Sequence, residues 1–418
     1  MRVALVASLV SPLRRAEANG PHAVIIDLAR GLTARGHRAV VYAAAGSVAE
    51  GIEIVQVLVD EAVRDAAVQV GVAAPSAATE ALDRGFERLF AVLRRDGPDV
   101  VSQHAFDAAA LRLAEGLPVL HTLHLPPVVP DVLAAARATQ SALATVSAAA
   151  RSSWRRAGIS DLAVLRNGVP DPEPAGGAIA PIALIAGRIS PEKGTDIAIR
   201  AARRAGLAPL VVGDAYDERY FSDAVAPLLR PGEWVGAVPR AMLYELMARS
   251  RLLLMPVQGD EPFGLVAAEA QMAGCPVVAY RRGALPEVVE HGVGGWLAEP
   301  DDEAQLVRGI ATVRGFDRAS IRRRARRRLG VERMVDAYER ALSAIAARST
   351  RPTALRPAAA AGPASFTCCS SAFMPSVRRG WEADDVAAPA PVPSGPGLMR
   401  APWRSPGSTH AGTGRICN

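Results

Sequence analysis

Short apolar runs alternate with amphipathic stretches along most of this chain, and this alternation limits the possible folds more than any other feature. RVALVASLV at residues 2–10 has the composition of a buried parallel strand, whereas HAVIIDLARGLTARG at residues 22–36 has a helical period. Strands separated by helices are typical of βαβ units and parallel sheets. Further strand-like runs are residues 39–45, 98–105, 118–124, 143–147, 181–187, 208–214, 233–238, 251–257, 275–280 and 294–299. The predicted fold class is α/β, with two doubly wound sheets.

A segment rich in Pro and Gly, NGVPDPEPAGGAIA at residues 167–180, separates the two series of strands. The 418 residues suffice for two cores. We therefore expect one domain over residues 1–170, a second over 171–330, and a helix over 331–348 that packs back across the domains. Residues 349–418 are Pro, Ala, Gly and Ser without core periodicity, which predicts a disordered tail.

The net charge of +6 comes mainly from arginine, but its distribution does not favour nucleic acid as a partner. Nucleic-acid surfaces gather basic residues on one face beside aromatic groups, whereas here Arg is spread along helices and aromatic residues make up 5% of the chain. The Arg-rich stretch at residues 319–347 is interpreted as a solvated helix face. Peripheral contact with an acidic membrane surface is the alternative.

The localisation expected from the sequence is cytoplasmic, with contact at the inner face of a membrane left open. The start of the chain lacks a long apolar segment before a cleavage site, and no run of 18 apolar residues occurs. The four cysteines show neither metal-site nor disulfide-framework spacing. Nothing in these patterns predicts a bound metal.

Two cations follow the first strand of the second series, in GRISPEKGTDIAI. Arg188 and Lys193 lie on a loop at the carboxyl end of a strand, where open α/β sheets bind ligands. Thr195 is placed to cap the helix that follows. A guanidinium fork and an ammonium point charge together match a diphosphate. Surface charges in a turn are the alternative, but the presence of both cations favours phosphate binding.

Glu261 and Glu269 lie eight residues apart in the segment EPFGLVAAE. Pro262 and Gly264 interrupt the chain directly after Glu261, whereas residues 265–273 have a helical pattern. Glu261 is therefore predicted in a loop ahead of a helix, and Glu269 about one turn inside it. The unpaired N–H groups of a first turn favour an anionic or hydroxyl-rich ligand, and carboxylates accept hydrogen bonds from sugar hydroxyls. From spacing alone, a solvated helix with one capping acid is the alternative.

Together these segments resemble the retaining glycosyltransferases of family 4, which have the GT-B fold of two Rossmann-like domains facing across a cleft. The matching stretches are GRISPEKGTDIAI, the block at residues 256–300, TVSAAARSSWRRAGI with its later NGV, and LARGLTARGHRAVVYA. The resemblance covers residues 1–347 and is most specific at 256–300. It implies transfer of a sugar from a UDP-, GDP- or ADP-sugar to a hydroxyl acceptor, without a metal or other cofactor.

The resemblance also implies roles for the donor-side residues. Arg188 and Lys193 would neutralise the donor diphosphate. Glu261 would bind hydroxyls of the transferred sugar, and Glu269 the ribose hydroxyls of the nucleotide. The backbone amides that approach the sugar and phosphate would be those of Phe263, Gly264 and Leu265.

On the acceptor side the resemblance points to Gly20 and His124. Family members often have two glycines after the first strand, whose backbone meets the phosphates of the donor. In Asn19-Gly20-Pro21 only Gly20 matches this pair, and Pro21 has no N–H to donate. His124 matches a histidine near the reacting sugar, with His104 and His121 as alternatives. His124 and Glu261 are the expected catalytic residues.

Two other functions stay open on the same residues. The fold also suits a sugar-nucleotide epimerase or hydrolase, although the additional acids of such enzymes are not identifiable. A catalytically idle sugar-nucleotide binder is the second alternative, supported by the altered glycine pair. A Rossmann dehydrogenase is disfavoured, because no G-x-G-x-x-G follows the first strand.

Overall fold

The computed structural model describes residues 1–13, 20–60, 76–173 and 176–349. The segment predicted as a disordered tail, 349–418, lies outside these residues except for Ser349, and Asn19 lies outside them as well. Two parallel sheets with helices on their faces make up the described part of the chain. This architecture confirms the predicted α/β fold class.

The first sheet has seven parallel strands in the order β3-β2-β1-β4-β5-β6-β7. The order reverses between β1 and β4, so the carboxyl ends of these strands flank a switch point, where α/β sheets bind ligands. The strands are β1 (Arg2–Val6), β2 (Arg38–Ala44), β3 (Glu53–Val57), β4 (Val100–Gln103), β5 (Val119–Leu123), β6 (Ala142–Thr145) and β7 (Ala163–Val164). The connecting helices are α1 (Gly20–Ala34), α2 (Ser76–Asp96), α3 (Ala108–Leu113), α4 (Pro130–Ala138) and α5 (Ala148–Arg156).

The second sheet has five parallel strands in the order β12-β11-β10-β8-β9, with its switch point between β8 and β10. The strands are β8 (Ala180–Ala186), β9 (Ala208–Val212), β10 (Ser250–Met255), β11 (Val277–Tyr280) and β12 (Gly295–Ala298). The helices are α6 (Thr195–Arg204), α7 (Glu218–Tyr220), α8 (Arg240–Arg249), α9 (Leu265–Met272), α10 (Leu285–Val288) and α11 (Glu303–Thr312).

The strand predicted at residues 233–238 is wrong. This segment makes only an isolated bridge from Trp234 to Val211 on β9. Gly236 has φ 69°, which takes the backbone out of the extended region just after the bridge. The apolar residues are present as the sequence shows, but the backbone of this segment does not continue as a strand beside β9.

The Arg-rich stretch forms two helices, α12 (Arg318–Leu329) and α13 (Val331–Ser349), separated at Gly330. At the break, Val169 N–H donates to Leu329 O at 2.8 Å, and Val331 N–H donates to Val169 O at 3.0 Å. The chain therefore crosses between the two sheets twice, with the crossings hydrogen-bonded side by side. Beyond this point α13 packs against α1, β4 and β5 of the first sheet. The domain limits drawn from the sequence stay a proposal.

Most arginines of α12 have partners within the protein. The ion pairs are Arg322–Asp171 at 2.6 Å, Arg326–Asp171 at 2.9 Å, Arg324–Glu290 at 2.5 Å and Arg328–Glu290 at 3.4 Å. Arg318 donates to the backbone carbonyls of Met247, Ala248 and Ser250. These contacts tie α12 to the second sheet and the crossing segment, which favours a structural role over lipid contact. Among the described residues, no helix has the length and apolar character needed to span a membrane.

Candidate functional site

The loop after β8 brings two cations to the switch point of the second sheet. Arg188 lies two residues after the end of β8, and a short 3-10 turn at Pro191–Lys193 leads to Gly194, which has φ 65°. A Cβ on Gly194 would lie 2.3 Å from the carbonyl oxygen of Pro256, so only glycine lets this loop approach the end of β10. Thr195 was expected to cap α6, but Gly194 occupies the N-cap position and Thr195 is the first helical residue.

Lys193 and Glu261 form an ion pair between this loop and the loop ahead of α9. The Lys193 Nζ lies 2.7 Å from Glu261 Oε2, and the Glu261 side chain is 13% exposed. Burial acts to raise the pKa of Glu261, but the Lys193 ammonium, the Gly264 amide and Arg188 outweigh it and lower that pKa. Glu261 is therefore an ionised, hydrogen-bond-accepting group held beside a cation. The fold thus brings together two residues that are 68 positions apart in sequence.

Arg188 is held by two further contacts. Its guanidinium carbon lies 4.5 Å from the centre of the Tyr216 ring, and its Nη2 lies 3.6 Å from Glu192. Stacking on an aromatic face and a carboxylate contact both restrict a guanidinium that is otherwise half exposed. This orientation leaves Arg188 close to Glu261, whose pKa it helps to lower.

The segment Phe263-Gly264-Leu265 forms the turn into α9. Gly264 has φ 92° and is the N-cap of the helix, and a Cβ there would lie 2.9 Å from Leu285. Leu265 is the first helical residue and meets Gly20, the first residue of α1, where a Cβ would lie 3.0 Å from the Leu265 side chain. The amino ends of α1 and α9 therefore lie against each other, although they belong to different sheets. Phe263 is buried.

Glu269 lies in α9 and belongs to a three-residue ion-pair network that spans the two sheets. Arg240, the first residue of α8, donates from Nε to Glu269 Oε1 and from Nη1 to Asp27 Oδ2 of α1, both at 2.7 Å. Both carboxylate side chains are 8% exposed. Burial raises the pKa of Glu269, and Arg240 opposes this effect only in part. The carboxylate therefore lies in a dry environment where each hydrogen bond counts heavily.

The first turn of α5, in the first domain, is capped by a residue of the second domain. Glu287 of α10 accepts hydrogen bonds from the amides of Ala148 at 3.0 Å and Ala149 at 2.8 Å. The third amide, Ala150 N–H, donates to Ser147 Oγ at 2.9 Å. Ser147 in turn donates to the carbonyl oxygen of Pro262, inside the loop that holds Glu261. The orphan donors of this helix are thus satisfied largely by the second domain.

His124 lies at the carboxyl end of β5 in a buried histidine pair. Its Nε2 is 2.9 Å from Nδ1 of His104, whose Nε2 is 2.9 Å from Ser102 Oγ. Burial lowers the pKa of His124 to about 4, and burial together with His124 lowers the pKa of His104 well below its ordinary value. Both rings are neutral near pH 7. Within the described residues no hydrogen bond joins His124 to the loops that hold Arg188, Lys193 and Glu261, while His121 is buried in β5.

The sequence interpretation missed Asp27, Ser147, Tyr216, Arg240 and Glu287. Two of them carry a local signal. Ser147 directly precedes a helical pattern, as an N-cap residue does. Arg240 follows Pro239 in the first turn of a helix, where a cation opposes the helix dipole, and this suggests a specific partner. Asp27 and Glu287 have no such signal, because their partners lie in the other half of the chain.

Comparison with known proteins identifies the family. Residues 178–327 match the family described as "Glycosyl transferases group 1", and residues 18–171 match "Glycosyltransferase Family 4". The chain belongs to glycosyltransferase family 4. Both matches are to glycosyltransferases, and the boundary between them falls within the predicted linker at residues 167–180.

Several curated proteins resemble this family 4 member over part of its length. D-inositol 3-phosphate glycosyltransferase of Mycolicibacterium smegmatis is 31% identical over 191 residues, which are 42% of this chain and 44% of the relative. Glycogen synthase of Mycobacterium tuberculosis is 32% identical over 181 residues, which are 40% of this chain and 43% of the relative. The chain thus spans less than half the length of these curated relatives.

Solved structures share the GT-B fold with this family 4 chain. Sucrose-phosphate synthase from Thermosynechococcus elongatus superposes with a TM-score of 0.68 at 18% identity, covering 83% of this chain and 99% of that chain. Anabaena HepE, solved in complex with UDP and glucose, gives a TM-score of 0.63 at 21% identity, covering 82% and 100%. At these identities the likeness shows the fold alone.

Proposed function

We propose that this protein transfers a sugar from a nucleotide-diphosphate donor to a hydroxyl acceptor, with retention of the anomeric configuration. The observation that carries the proposal is the 2.7 Å contact between Lys193 and Glu261 beside Arg188, at the switch point of the second sheet. Two cations match a diphosphate, and an ionised carboxylate next to them matches the hydroxyls of an attached sugar. One ligand with both parts is a nucleotide sugar.

The proposed chemistry depends on charge stabilisation. As the sugar–phosphate bond breaks, negative charge grows on the diphosphate, and Lys193 and Arg188 would stabilise it. Glu261 would hold the sugar hydroxyls, and Glu269 the ribose. No side chain is an evident covalent nucleophile, and we therefore propose attack from the face of the leaving group, with the departing diphosphate accepting the acceptor proton. The neutral His124 imidazole would contact the reacting sugar.

The known relatives support the donor class. Anabaena HepE was solved with UDP-glucose, and the curated relatives are a glycosyltransferase acting on an inositol phosphate and a glycogen synthase, as their names state. A nucleotide hexose is therefore the donor that we propose for this chain. Gly20, Phe263, Gly264 and Leu265 would form the part of the site where backbone approaches sugar and phosphate, since they meet where α1 and α9 begin.

The test begins with a donor screen. Thermal shift with UDP-, GDP- and ADP-glucose identifies the donor that stabilises the protein by mass action, and release of the nucleoside diphosphate is then followed with and without a panel of polyol and sugar acceptors. Lys193→Ala and Glu269→Ala should each cost about 2–4 kcal/mol of transition-state stabilisation, or about 30- to 900-fold in kcat/KM. Arg204→Ala, at the far end of α6, is the control and should be near wild type.

The other functions predict different outcomes of the same assay. Unchanged turnover in both Lys193→Ala and Glu269→Ala contradicts the proposed roles. Donor binding without product from any acceptor indicates an idle binder. Rapid nucleotide release without an acceptor indicates a hydrolase, and an altered sugar on the recovered nucleotide indicates an epimerase.

A further inference from the structure

Arg240 links the carboxylate of Glu269 in the second domain to that of Asp27 in the first domain. Arg240 and Glu269 lie on α8 and α9, which pack on the second sheet, whereas Asp27 lies on α1 of the first sheet. The guanidinium therefore joins a carboxylate of one domain to a carboxylate of the other. The Tyr244 ring, 5.8 Å from the guanidinium carbon, supports it from within α8.

The orientation of the Arg240 guanidinium determines how many hydrogen bonds the Glu269 carboxylate can still accept from a ligand. An arginine facing a single carboxylate prefers to bind both of its oxygens in a bidentate arrangement. Here Asp27 takes Nη1, and Arg240 contacts Glu269 through Nε at one oxygen, Oε1. Its Nη2, which could reach the second oxygen of Glu269, is buried and has no hydrogen-bond partner among the described residues. Two carboxylates around one guanidinium also carry a net negative charge. Both effects preserve the capacity of Glu269 to accept hydrogen bonds from a ligand.

A second contact fixes α1 in the same place. Gly20 at the start of α1 lies against Leu265 at the start of α9, and a Cβ on Gly20 would lie 3.0 Å from the Leu265 side chain. Asp27 is seven residues further along α1, and Glu269 four residues further along α9. The two helices are therefore held together at two points, one of which passes through Arg240.

We propose that Asp27 positions Glu269 through Arg240, so that the first domain sets how well the second domain recognises the ribose of the donor. The inference rests on the proposed function, in which Glu269 accepts hydrogen bonds from the ribose hydroxyls. Asp27 is a positioning residue, and it need not touch the nucleotide. Without its charge the guanidinium turns towards both oxygens of Glu269, which then compete less well for the hydroxyls.

The experiment measures discrimination between ribose and its deoxygenated form. The tightest binder among UDP, GDP and ADP is titrated by calorimetry beside its 2′,3′-dideoxy counterpart. The wild-type protein should bind the nucleotide that has both ribose hydroxyls about tenfold or more tightly than the dideoxy form, as expected for hydrogen bonds to a charged group. The ratio of the two dissociation constants is the quantity compared between variants. Asp27→Asn should reduce this ratio to about threefold or less, and Asp27→Glu, which keeps the ion pair, should retain most of it.

Two further variants separate positioning from general stability. Glu339→Gln makes the same carboxylate-to-amide change in the ion pair between Arg35, just after α1, and α13, and it should keep the tenfold ratio. Arg240→Lys disrupts the link between Asp27 and Glu269 by changing its central residue, and it should reduce the binding ratio as Asp27→Asn does. This variant tests the proposal if the Asp27→Asn protein does not fold.

The outcomes distinguish failure of this inference from failure of the proposed function on which it rests. If the wild-type protein discriminates between the two nucleotides and both Asp27→Asn and Arg240→Lys discriminate equally well, Asp27 does not position Glu269. If the wild-type protein binds no nucleoside diphosphate, or binds both forms alike, the assigned role of Glu269 fails, and the inference fails with it.

Discussion

At the scale of single residues, Lys193 is the one lysine in a chain of 418 residues that otherwise uses arginine for its fixed positive charges. An ammonium is a compact point charge, whereas a guanidinium is a planar fork, so the two are not equivalent beside Glu261. Acetylation of the folded protein with an amine-selective reagent should therefore modify one side chain. We expect this adduct to abolish turnover of the proposed donor, because it removes the charge that we propose to lie next to its diphosphate.

Protection is the measurement that checks this prediction. Intact-protein mass spectrometry should show one ε-amine adduct in addition to the α-amine, and the nucleoside diphosphate that raises the melting temperature should slow its formation. Lys193→Arg is the matched control, because it can acquire only the α-amine adduct. Equal rates of acetylation with and without saturating nucleotide would show that the diphosphate does not bind at Lys193.

The residue scale also shows what local sequence can and cannot predict. Arg188, Lys193 and Glu261 were predicted because each lies beside glycine or proline at the end of a strand, where a short motif and the parallel-sheet rule are enough. Asp27 and Glu287 were missed because their partners are 213 and 138 or more positions away. Such contacts are created by the packing of two domains, and neither residue has an unusual neighbourhood in sequence.

At the scale of secondary-structure elements, α5 depends on α10 for its first turn. Glu287→Gln leaves one acceptor oxygen facing two amide donors, so at least one of Ala148 and Ala149 loses its partner. Both amides are partly buried, so the cost is at the lower end of the about 1–3 kcal/mol that a fully buried unsatisfied donor costs. We expect a lower free energy of unfolding and faster hydrogen exchange at these amides, measured by mass spectrometry of the peptide around Ser147.

A second contact at the start of α5 should affect the loop at residues 261–265. Ser147→Ala removes the hydrogen bond to Pro262, so exchange at Phe263 and Gly264 should rise as well. Asp302→Asn weakens a cap within one domain, where Asp302 accepts from Gln305 N–H at the start of α11. This control should speed exchange in α11 and leave residues 261–265 unchanged. Equal exchange at 261–265 in Ser147→Ala and wild type would contradict the coupling.

The elements themselves were predictable to different degrees. Buried strands such as β1, β10 and β11 contain continuous apolar runs and were recognised. The edge strand β3 was missed, because its side chains are largely accessible and its sequence EIVQV is only weakly apolar. The segment at 233–238 shows the opposite error: an apolar run without a strand, since Gly236 bends the backbone. Edges of sheets are decided by neighbours that a local pattern does not contain.

At the scale of the whole molecule, four histidines that are buried in the described part of the chain link stability to pH. Burial lowers the pKa values of His22, His121 and His124 to about 4, and that of His104 falls well below its ordinary value. In the unfolded chain each titrates near 6.5. Between pH 6.5 and pH 4 the unfolded chain therefore binds protons that the folded chain does not, and the free energy of unfolding falls as the pH falls.

His121 allows this linkage to be tested at one position. It is fully buried in β5, and among the described residues neither ring nitrogen has a hydrogen-bond partner. His121→Leu removes one group that takes up a proton on unfolding, so the free energy of unfolding should fall less steeply with decreasing pH. With pKa values of 6.5 in the unfolded chain and about 4 in the folded protein, the expected change in slope is about 1.2 kcal/mol per pH unit between pH 5 and 6. Urea unfolding of both proteins across pH 4.5–7.5 measures it.

The same variant should be at least as stable as wild type at pH 5, because a leucine leaves no unpartnered nitrogen in the core. Parallel curves of unfolding free energy against pH for the two proteins would show that His121 does not stay neutral in the folded state.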